Sequence, residues 1–179
     1  MQRVLVMGSS GSGKSTFARR LSAVTGIPTV SIDALFWKPG WVASGQDVFE
    51  RRMIKAAREP RWIMDGNYMS SGAGELRREL SDTIIWFDLP RSTCMLGILG
   101  RIAGSHGQVR PEMAEGCPEK IDLEFFRYVW TYRQQQRPKL IEYFSGLRPD
   151  QSLVCFTDRT QADDYLKSLA LQQNRASIH

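Results

Sequence analysis

The chain has 179 residues, of which 42% are hydrophobic and 24% are charged, a composition typical of one ordinary globular domain. This composition excludes a disordered tail protein and a collagen-like chain, and no apolar run reaches the roughly 20 residues of a membrane helix. The apolar stretch at the N-terminus is too short for a signal peptide, so the sequence predicts a cytoplasmic protein with no membrane partner. The three cysteines form no CxxC pair, which favours reduced thiols over a zinc or redox site.

The charge of the chain points to an anionic ligand. The net charge is +5, and 18 of the 24 basic residues are arginine. A guanidinium group binds two phosphate oxygens at once, which an ammonium group cannot do. The excess of arginine therefore favours a nucleotide or a nucleic acid as the partner, and the charge alone does not choose between them.

Five short apolar segments alternate with helical patterns along the chain. The predicted strands are residues 2–7, 28–33, 62–65, 83–89 and 152–157. The predicted helices are residues 17–24, 46–59, 72–80, 92–102, 122–144 and 161–171. Pro138 is expected to kink or split the longest of these helices. The alternation predicts an α/β fold with a parallel sheet, built as a single domain over residues 1–179.

A glycine-rich segment directly after the first strand fits the pattern GxxxxGK[ST] over residues 8–15, and we call it the phosphate loop. Backbone N–H groups of such a loop, together with the positive end of the following helix, hold a polyphosphate. We expect Lys14 to reach the β- and γ-phosphates and the Ser15 hydroxyl to bind Mg²⁺. The predicted nucleotide-binding residues of this segment are Gly8, Ser9, Ser10, Gly11, Ser12, Gly13, Lys14, Ser15 and Thr16. The alternative is a glycine-serine turn without a ligand.

Two aspartates follow apolar strands. Asp65 ends the third predicted strand and Asp33 ends the second, so both are expected at the edge of the sheet where ligands bind. Asp65 is a candidate for holding Mg²⁺ or contacting substrate. Asp33 is a candidate for accepting a proton from a substrate hydroxyl or for helping to bind Mg²⁺. Which of the two serves the metal stays open, and each also suits a turn or a helix cap.

A long polar segment without periodicity, together with the arginines around it, predicts a lid. Phosphoryl transfer needs positive charge over the transferred group in a site closed to water. The candidate arginines are Arg101, Arg110, Arg127, Arg133 and Arg137. Arg101 and Arg133 are the first choices for a catalytic role, and the alternative for each is a solvated basic surface.

Three aromatic residues lie in loops that should face the phosphate loop. Trp37 and Trp41 follow the second predicted strand, and Tyr68 follows the third. Such side chains stack on a base or on another planar substrate, and they serve equally well in a hydrophobic core.

Five segments together resemble the bacterial DNA topology modulation proteins (FlaR-related), which are small P-loop proteins of the adenylate-kinase-like superfamily. The segments are GSSGSGKST, SIDALFWKPGW, WIMDGNY, TIIWFDLPR and RPEMAEGCPEKIDLEF. The resemblance extends from Val4 to about Phe144. It implies a three-layer, nucleoside-monophosphate-kinase-like P-loop NTPase fold with a five-stranded parallel sheet of order 2-3-1-4-5. It also implies a substrate-binding region at about 34–61 and a mobile lid at about 102–121.

The resemblance also implies roles for individual residues. Asp65 matches the acid that closes strand three in adenylate kinases, Arg101 the arginine that opens the lid, and Arg133 a post-lid arginine. Thr157 begins the loop where adenine packs in such kinases.

The sequence departs from the superfamily at the acceptor side and in the lid. Gly-Asn-Tyr-Met replaces the Gly-Phe-Pro-Arg that follows the acid of strand three in adenylate kinases, so the arginine that grips a monophosphate is missing there. This departure argues against AMP as the acceptor. The lid has Cys117 alone, so the zinc site found in some lids of the superfamily is not expected.

Two functions are compatible with these features. The first is an ATP-binding phosphotransferase that uses Mg²⁺ and ATP and acts on an unidentified small-molecule acceptor. The alternative is a nucleotide-dependent regulator that influences DNA topology or gene expression. Direct DNA binding is less favoured because the sequence contains no recognisable DNA-reading module. The acceptor, the choice between ATP and GTP, and the oligomeric state stay open.

Overall fold

The structure, a computed structural model, describes residues 1–105, 116–117 and 123–176. The strands are β1 (Arg3–Gly8), β2 (Thr29–Ser31), β3 (Trp37–Lys38), β4 (Val42–Ala43), β5 (Trp62–Asp65), β6 (Thr83–Phe87) and β7 (Ser152–Phe156). The helices are α1 (Lys14–Thr25), α2 (Ile32–Phe36), α3 (Gln46–Ala57), α4 (Gly74–Leu80), α5 (Arg91–Ser105), α6 (Leu123–Ser145) and α7 (Arg159–Ala176).

A parallel sheet of five strands forms the centre of the molecule, in the order β2-β5-β1-β6-β7. Counted within this sheet, the order is the 2-3-1-4-5 that the resemblance implies. The register places Val6 opposite Asp65 and Gly8 opposite Phe87, while Ser31 at the end of β2 lies opposite Asp65. The carboxyl ends of β1, β2 and β5 therefore meet at one edge, which is where the phosphate loop begins.

Alternate residues of the central strands pack into two separate hydrophobic layers, as the period of a β-strand requires. One layer joins Val4 and Val6 of β1 to apolar residues of α1, α5 and α7. The other joins Leu5 and Met7 to α3 and to the second half of α6. Because both faces are covered, β5 and β6 are entirely buried, which agrees with their nearly continuous apolar sequences.

The segment after β2 differs from the prediction. β2 ends at Ser31, and the next five residues form α2, whose N-terminus is capped by the Ser31 hydroxyl accepting a hydrogen bond from the Ala34 N–H at 3.3 Å. Asp33 therefore lies in the first turn of a helix, and the expectation that it ends a strand is wrong. The following segment contains the antiparallel hairpin of β3 and β4.

Helix α6 continues through Pro138 without splitting. Proline removes one backbone hydrogen bond, but Leu140, Tyr143 and Phe144 beyond it are buried in the second hydrophobic layer. Packing of this last part of α6 outweighs the lost hydrogen bond, so of the two predicted effects of Pro138, a kink or a split, the split does not occur. Within the described residues, no helix is both long and apolar enough to cross a bilayer.

Most of the predicted lid, including Arg110, lies outside the described residues. Its first residues belong to α5, which extends to Ser105. Gly116 and Cys117 contact the β3–β4 hairpin, where the Gly40 N–H donates to the Gly116 carbonyl at 2.8 Å and the Cys117 thiol donates to the Lys38 carbonyl at 3.2 Å. Residues 116–117 of the predicted lid therefore pack on the predicted substrate-binding region.

Candidate active site

The phosphate loop joins β1 to α1 in a conformation that only glycine adopts readily. Gly8, Gly11 and Gly13 all have positive φ, at 147°, 76° and 98°. A Cβ at Gly8 would lie 2.8 Å from the Phe87 Cβ. No described side chain caps the N-terminus of α1, so its first N–H groups face the loop without a side-chain acceptor. This arrangement fits the phosphates of a nucleotide.

A cleft of about 1160 Å³ opens over the phosphate loop. It is lined by residues 10–15 of the loop, including Lys14 and Ser15, and by three of the other predicted site residues, Asp33, Asp65 and Arg101, whereas Gly8 and Ser9 do not line it. The structure therefore brings together residues that are separated by up to about 90 positions in the sequence.

Asp65 and Asp33 occupy different positions in this cleft. Asp65 is 8% exposed and lies at the carboxyl end of β5, next to β1 in the sheet. Asp33 accepts a hydrogen bond from the Tyr68 hydroxyl at 2.9 Å. Burial raises the pKa of Tyr68, and the negative charge of Asp33 and this hydrogen bond raise it further. Tyr68 thus remains a protonated donor that fixes the Asp33 carboxylate.

Asn67 binds the backbone of the phosphate loop at its first residue. Its side-chain oxygen accepts from the Gly8 N–H at 2.9 Å, and its amide nitrogen donates to the Gly8 carbonyl at 3.1 Å. The same nitrogen also donates to the Tyr132 hydroxyl of α6 at 2.9 Å. Asn67 thereby links the loop after β5, the phosphate loop and α6, a role that the sequence analysis did not assign to it.

The loop that carries Asn67 and Tyr68 is held by a fully buried arginine. Arg77 donates from Nε to the Gly72 carbonyl at 3.1 Å. From Nη2 it donates to the carbonyls of Asn67 and Tyr68, at 3.1 and 2.6 Å. Burial lowers the pKa of Arg77. Sequence analysis also missed this residue, because its position in an amphipathic helix is typical of an exposed arginine.

Of the predicted arginines, Arg101 lines the cleft, and its guanidinium lies 5.7 Å from the centre of the Phe125 ring. Arg133 does not line the cleft. Its Nε lies 3.3 Å from one oxygen of Asp88, while Arg137 Nε lies 2.9 Å from the other. These two residues are four apart on α6 and therefore share the face that meets the end of β6. The structure thus places Arg133 against Asp88, outside the cleft.

The loop after β7 reaches the phosphate loop through a residue that was not predicted. Arg159, at the start of α7, donates to the Gly11 carbonyl at 2.7 Å and lines the cleft. Thr157, the predicted residue, does not line it, and its N–H donates instead to the side chain of Gln161 at 2.8 Å. Arg159 rather than Thr157 therefore contacts the candidate nucleotide site.

No cluster of three or more His, Cys, Asp or Glu side chains suited to a metal ion occurs among the described residues. The Ser15 hydroxyl and the Asp65 carboxylate are nonetheless hard oxygen donors in one cleft. Such donors fit Mg²⁺, which proteins commonly hold by one or two oxygen ligands together with substrate phosphates.

Solved structures of known kinases share this fold. A shikimate kinase from Acinetobacter baumannii in complex with shikimate aligns over 99% of this chain and 94% of its own, at 14% identity and a TM-score of 0.57. A shikimate kinase from Bacteroides thetaiotaomicron aligns over 97% of this chain and 98% of its own, at 15% identity and the same TM-score of 0.57. The chain has a P-loop kinase fold.

At such low identity the likeness establishes the fold alone. No protein-family model matches the sequence, and no curated protein sequence matches it.

Proposed function

We propose that this protein is a phosphotransferase that uses Mg²⁺ and ATP to phosphorylate a hydroxyl group of a small molecule. The observation that carries the proposal is the single cleft that joins the phosphate loop to Asp33, Asp65 and Arg101. A nucleotide-binding site alone does not need a carboxylate held by a tyrosine on the far side of the cleft. A phosphoryl acceptor needs such a group to orient its hydroxyl.

Different residues of the chain bind the phosphates and the metal ion. N–H groups of the phosphate loop bind the β- and γ-phosphates, with the Lys14 ammonium beside them. Ser15 and Asp65 would hold Mg²⁺, which when bound neutralises charge on those phosphates. Arg101 provides a further positive charge in the cleft, and Arg159 supports the loop through the Gly11 carbonyl.

Asp33 acts on the acceptor. In the transfer, the acceptor oxygen forms a bond to the γ-phosphorus, and the bond from that phosphorus to the ADP oxygen breaks. The proton of the acceptor hydroxyl passes to the Asp33 carboxylate. Tyr68 keeps that carboxylate in place, so that the hydroxyl meets the phosphoryl group with a fixed orientation.

ADP formation tests this proposal, measured with Mg²⁺ and ATP and with a panel of nucleosides, nucleotides, sugars and hydroxy acids. We expect ADP formation to increase when an acceptor is added. We expect Lys14→Ala to lower it by about 100-fold or more, because the transferred group loses a positive charge. Lys139→Ala, at an exposed position of α6, is the matched control and should have no effect. Unchanged ATP binding by Lys14→Ala would show that the site is wrongly assigned.

The regulatory alternative predicts a different result in the same samples. A protein that acts on DNA topology or gene expression would need nucleotide but no small-molecule acceptor. It would also retain DNA most strongly at low salt, because phosphate contacts strengthen there. Acceptor-independent ADP formation together with DNA retention at low salt would favour this alternative. Acceptor-dependent turnover without retention would exclude it.

A further inference from the structure

The cleft has two halves that are built from different elements. The nucleotide half comprises the phosphate loop, α1, α5 and the start of α7. The acceptor half comprises α2, the β3–β4 hairpin, the loop after β5 and the first turns of α6. The residues of the acceptor half that matter here are Asp33, Trp37, Trp41, Tyr68 and Tyr128.

The two halves carry opposite charges. The basic side chains that line the cleft are Lys14, Arg19, Arg20, Arg101 and Arg159, all from the nucleotide half. Along the parts of the acceptor half that the structure describes, no lysine or arginine lines the cleft, whereas Asp33 does. Lys38 lies next to Trp37 in the hairpin, but its side chain is exposed and does not line the cleft.

Two of the arginines in the nucleotide half are held there by contacts within the protein. Arg20 forms an ion pair with Asp163 of α7. Arg159 donates to the Gly11 carbonyl of the phosphate loop. These contacts tie both guanidinium groups to the α7 side of the cleft, so they are not positioned to neutralise an anionic acceptor.

The walls of the acceptor half are aromatic and fixed by their neighbours. The Trp37 and Trp41 rings meet edge to face at 5.5 Å, and Phe36 packs on Trp37 at 4.9 Å and on Tyr68 at 5.2 Å. Tyr128 of α6 adds a further ring to the lining of the cleft. Aromatic faces bind flat or apolar surfaces and also attract cations, whereas they offer nothing to an anion.

From this distribution we infer that the acceptor is an uncharged or cationic hydroxyl compound with a flat or apolar face, such as a nucleoside or an aminated sugar. A compound that already carries a phosphate or a carboxylate would place a negative charge beside Asp33, and no lysine or arginine among the described residues of the acceptor half lines the cleft to balance it. Shikimate, the ligand named for one of the structural neighbours, is such a carboxylate, so the acceptor of this protein differs from it in charge. This inference rests on the proposed phosphotransferase function.

Matched pairs of compounds test this inference about the charge of the acceptor, because the members of each pair differ in one anionic group. The pairs are adenosine and its 5′-monophosphate, glucosamine and its 6-phosphate, and shikimate methyl ester and shikimate. The tryptophan fluorescence of the 179-residue protein, which contains Trp37 and Trp41 in the cleft, reports binding in the presence of Mg²⁺ and a non-hydrolysable ATP analogue. We expect at least one uncharged or cationic member to bind about tenfold or more tightly than its anionic partner.

A substitution makes the same inference testable by gain of function. Tyr128 is exposed enough on α6 to accept a long side chain, at 41% exposure. Tyr128→Arg should shift the preference within each pair towards the anionic member by about tenfold, whereas Tyr128→Gln, the uncharged control, should not.

Each outcome has a definite meaning. Tighter binding of any anionic member to the wild-type protein would overturn the inference, and so would the absence of binding by every compound when the ATP analogue binds. Failure of the ATP analogue itself to bind would instead overturn the proposed function on which the inference rests.

Discussion

The nucleotide half and the acceptor half of the cleft are built on different principles. The nucleotide half relies on backbone N–H groups, three glycines with positive φ and the end of one helix, all within a single short segment. The acceptor half relies on side chains from four elements that are far apart in the sequence. Phosphate binding is therefore common to many proteins of this fold, whereas the choice of acceptor depends on the tertiary arrangement of this particular chain.

Gly11→Ala should have the largest effect of the variants proposed here, and it should act on the nucleotide half of the cleft. A Cβ at Gly11 would lie 2.9 Å from Ile98 Cγ1 and closer still to the Cys94 carbonyl, at a φ of 76° that alanine disfavours. We expect about 3 kcal/mol or more of lost stability, and ATP affinity reduced by about 100-fold. Urea unfolding and calorimetric titration with an ATP analogue measure these two effects.

Gly100→Ala provides the matched control, since a Cβ there meets nothing within 4 Å and the residue lies inside α5. This variant should be about 0.5–1 kcal/mol more stable than the wild type, with ATP affinity unchanged. Equal behaviour of the two variants would show that the close approach of α5 to the phosphate loop is unimportant.

Asn67→Ala should affect both halves at once, because Asn67 binds Gly8 on one side and Tyr132 on the other. We expect about 1–2 kcal/mol of lost stability and about tenfold weaker ATP binding, since the Gly8 backbone loses two hydrogen bonds. Asn67→Asp keeps the oxygen that accepts from the Gly8 N–H and should retain part of the affinity. An Asn67→Ala protein with wild-type ATP affinity would mean that Asn67 does not position the phosphate loop.

Tyr68→Phe should affect the acceptor half alone and by the smallest amount. The variant keeps the aromatic packing on Phe36 and loses the hydrogen bonds of the hydroxyl group, which join it to Asp33 and to the Trp37 side chain. We expect kcat to fall about fivefold through looser orientation of the carboxylate, with ATP affinity unchanged. Steady-state kinetics, with the concentrations of ATP and of the acceptor varied in turn, distinguish an effect on kcat from an effect on ATP affinity. A matching loss of ATP affinity would contradict the division of the cleft into two halves.

Sequence patterns predicted the structure correctly where the residues concerned are contiguous in the chain. The apolar strand, the glycines and Lys14 are contiguous, and the prediction that this segment follows a strand and begins a helix is confirmed. Asp65 was placed correctly because it ends a short run of apolar residues that both faces of the sheet bury. The order of the strands came from the resemblance, since local periodicity carries no information on which strands are neighbours.

Sequence patterns did not predict the structure where contacts between distant parts of the chain determine it. The segment IDALF is compatible with a strand end or a helix, and capping of α2 by Ser31 decides for the helix. Burial of Val129 and Tyr132 fixes the rotation of α6, which turns Arg133 towards Asp88. Arg159 follows an ordinary strand-to-helix turn, so nothing local marks it as a neighbour of Gly11.

The three cysteine thiols differ in exposure, so their rates of chemical labelling can report on local opening of the structure. Cys155 is exposed on β7, whereas Cys94 and Cys117 are buried. A maleimide dye therefore attaches first at Cys155 without any engineered substitution. Cys117 is covered where its thiol meets the Lys38 carbonyl, so alkylation there records each separation of residues 116–117 from the hairpin. The rate of that second modification, followed by mass spectrometry with and without ligands, would show whether ligand binding changes how often this contact opens.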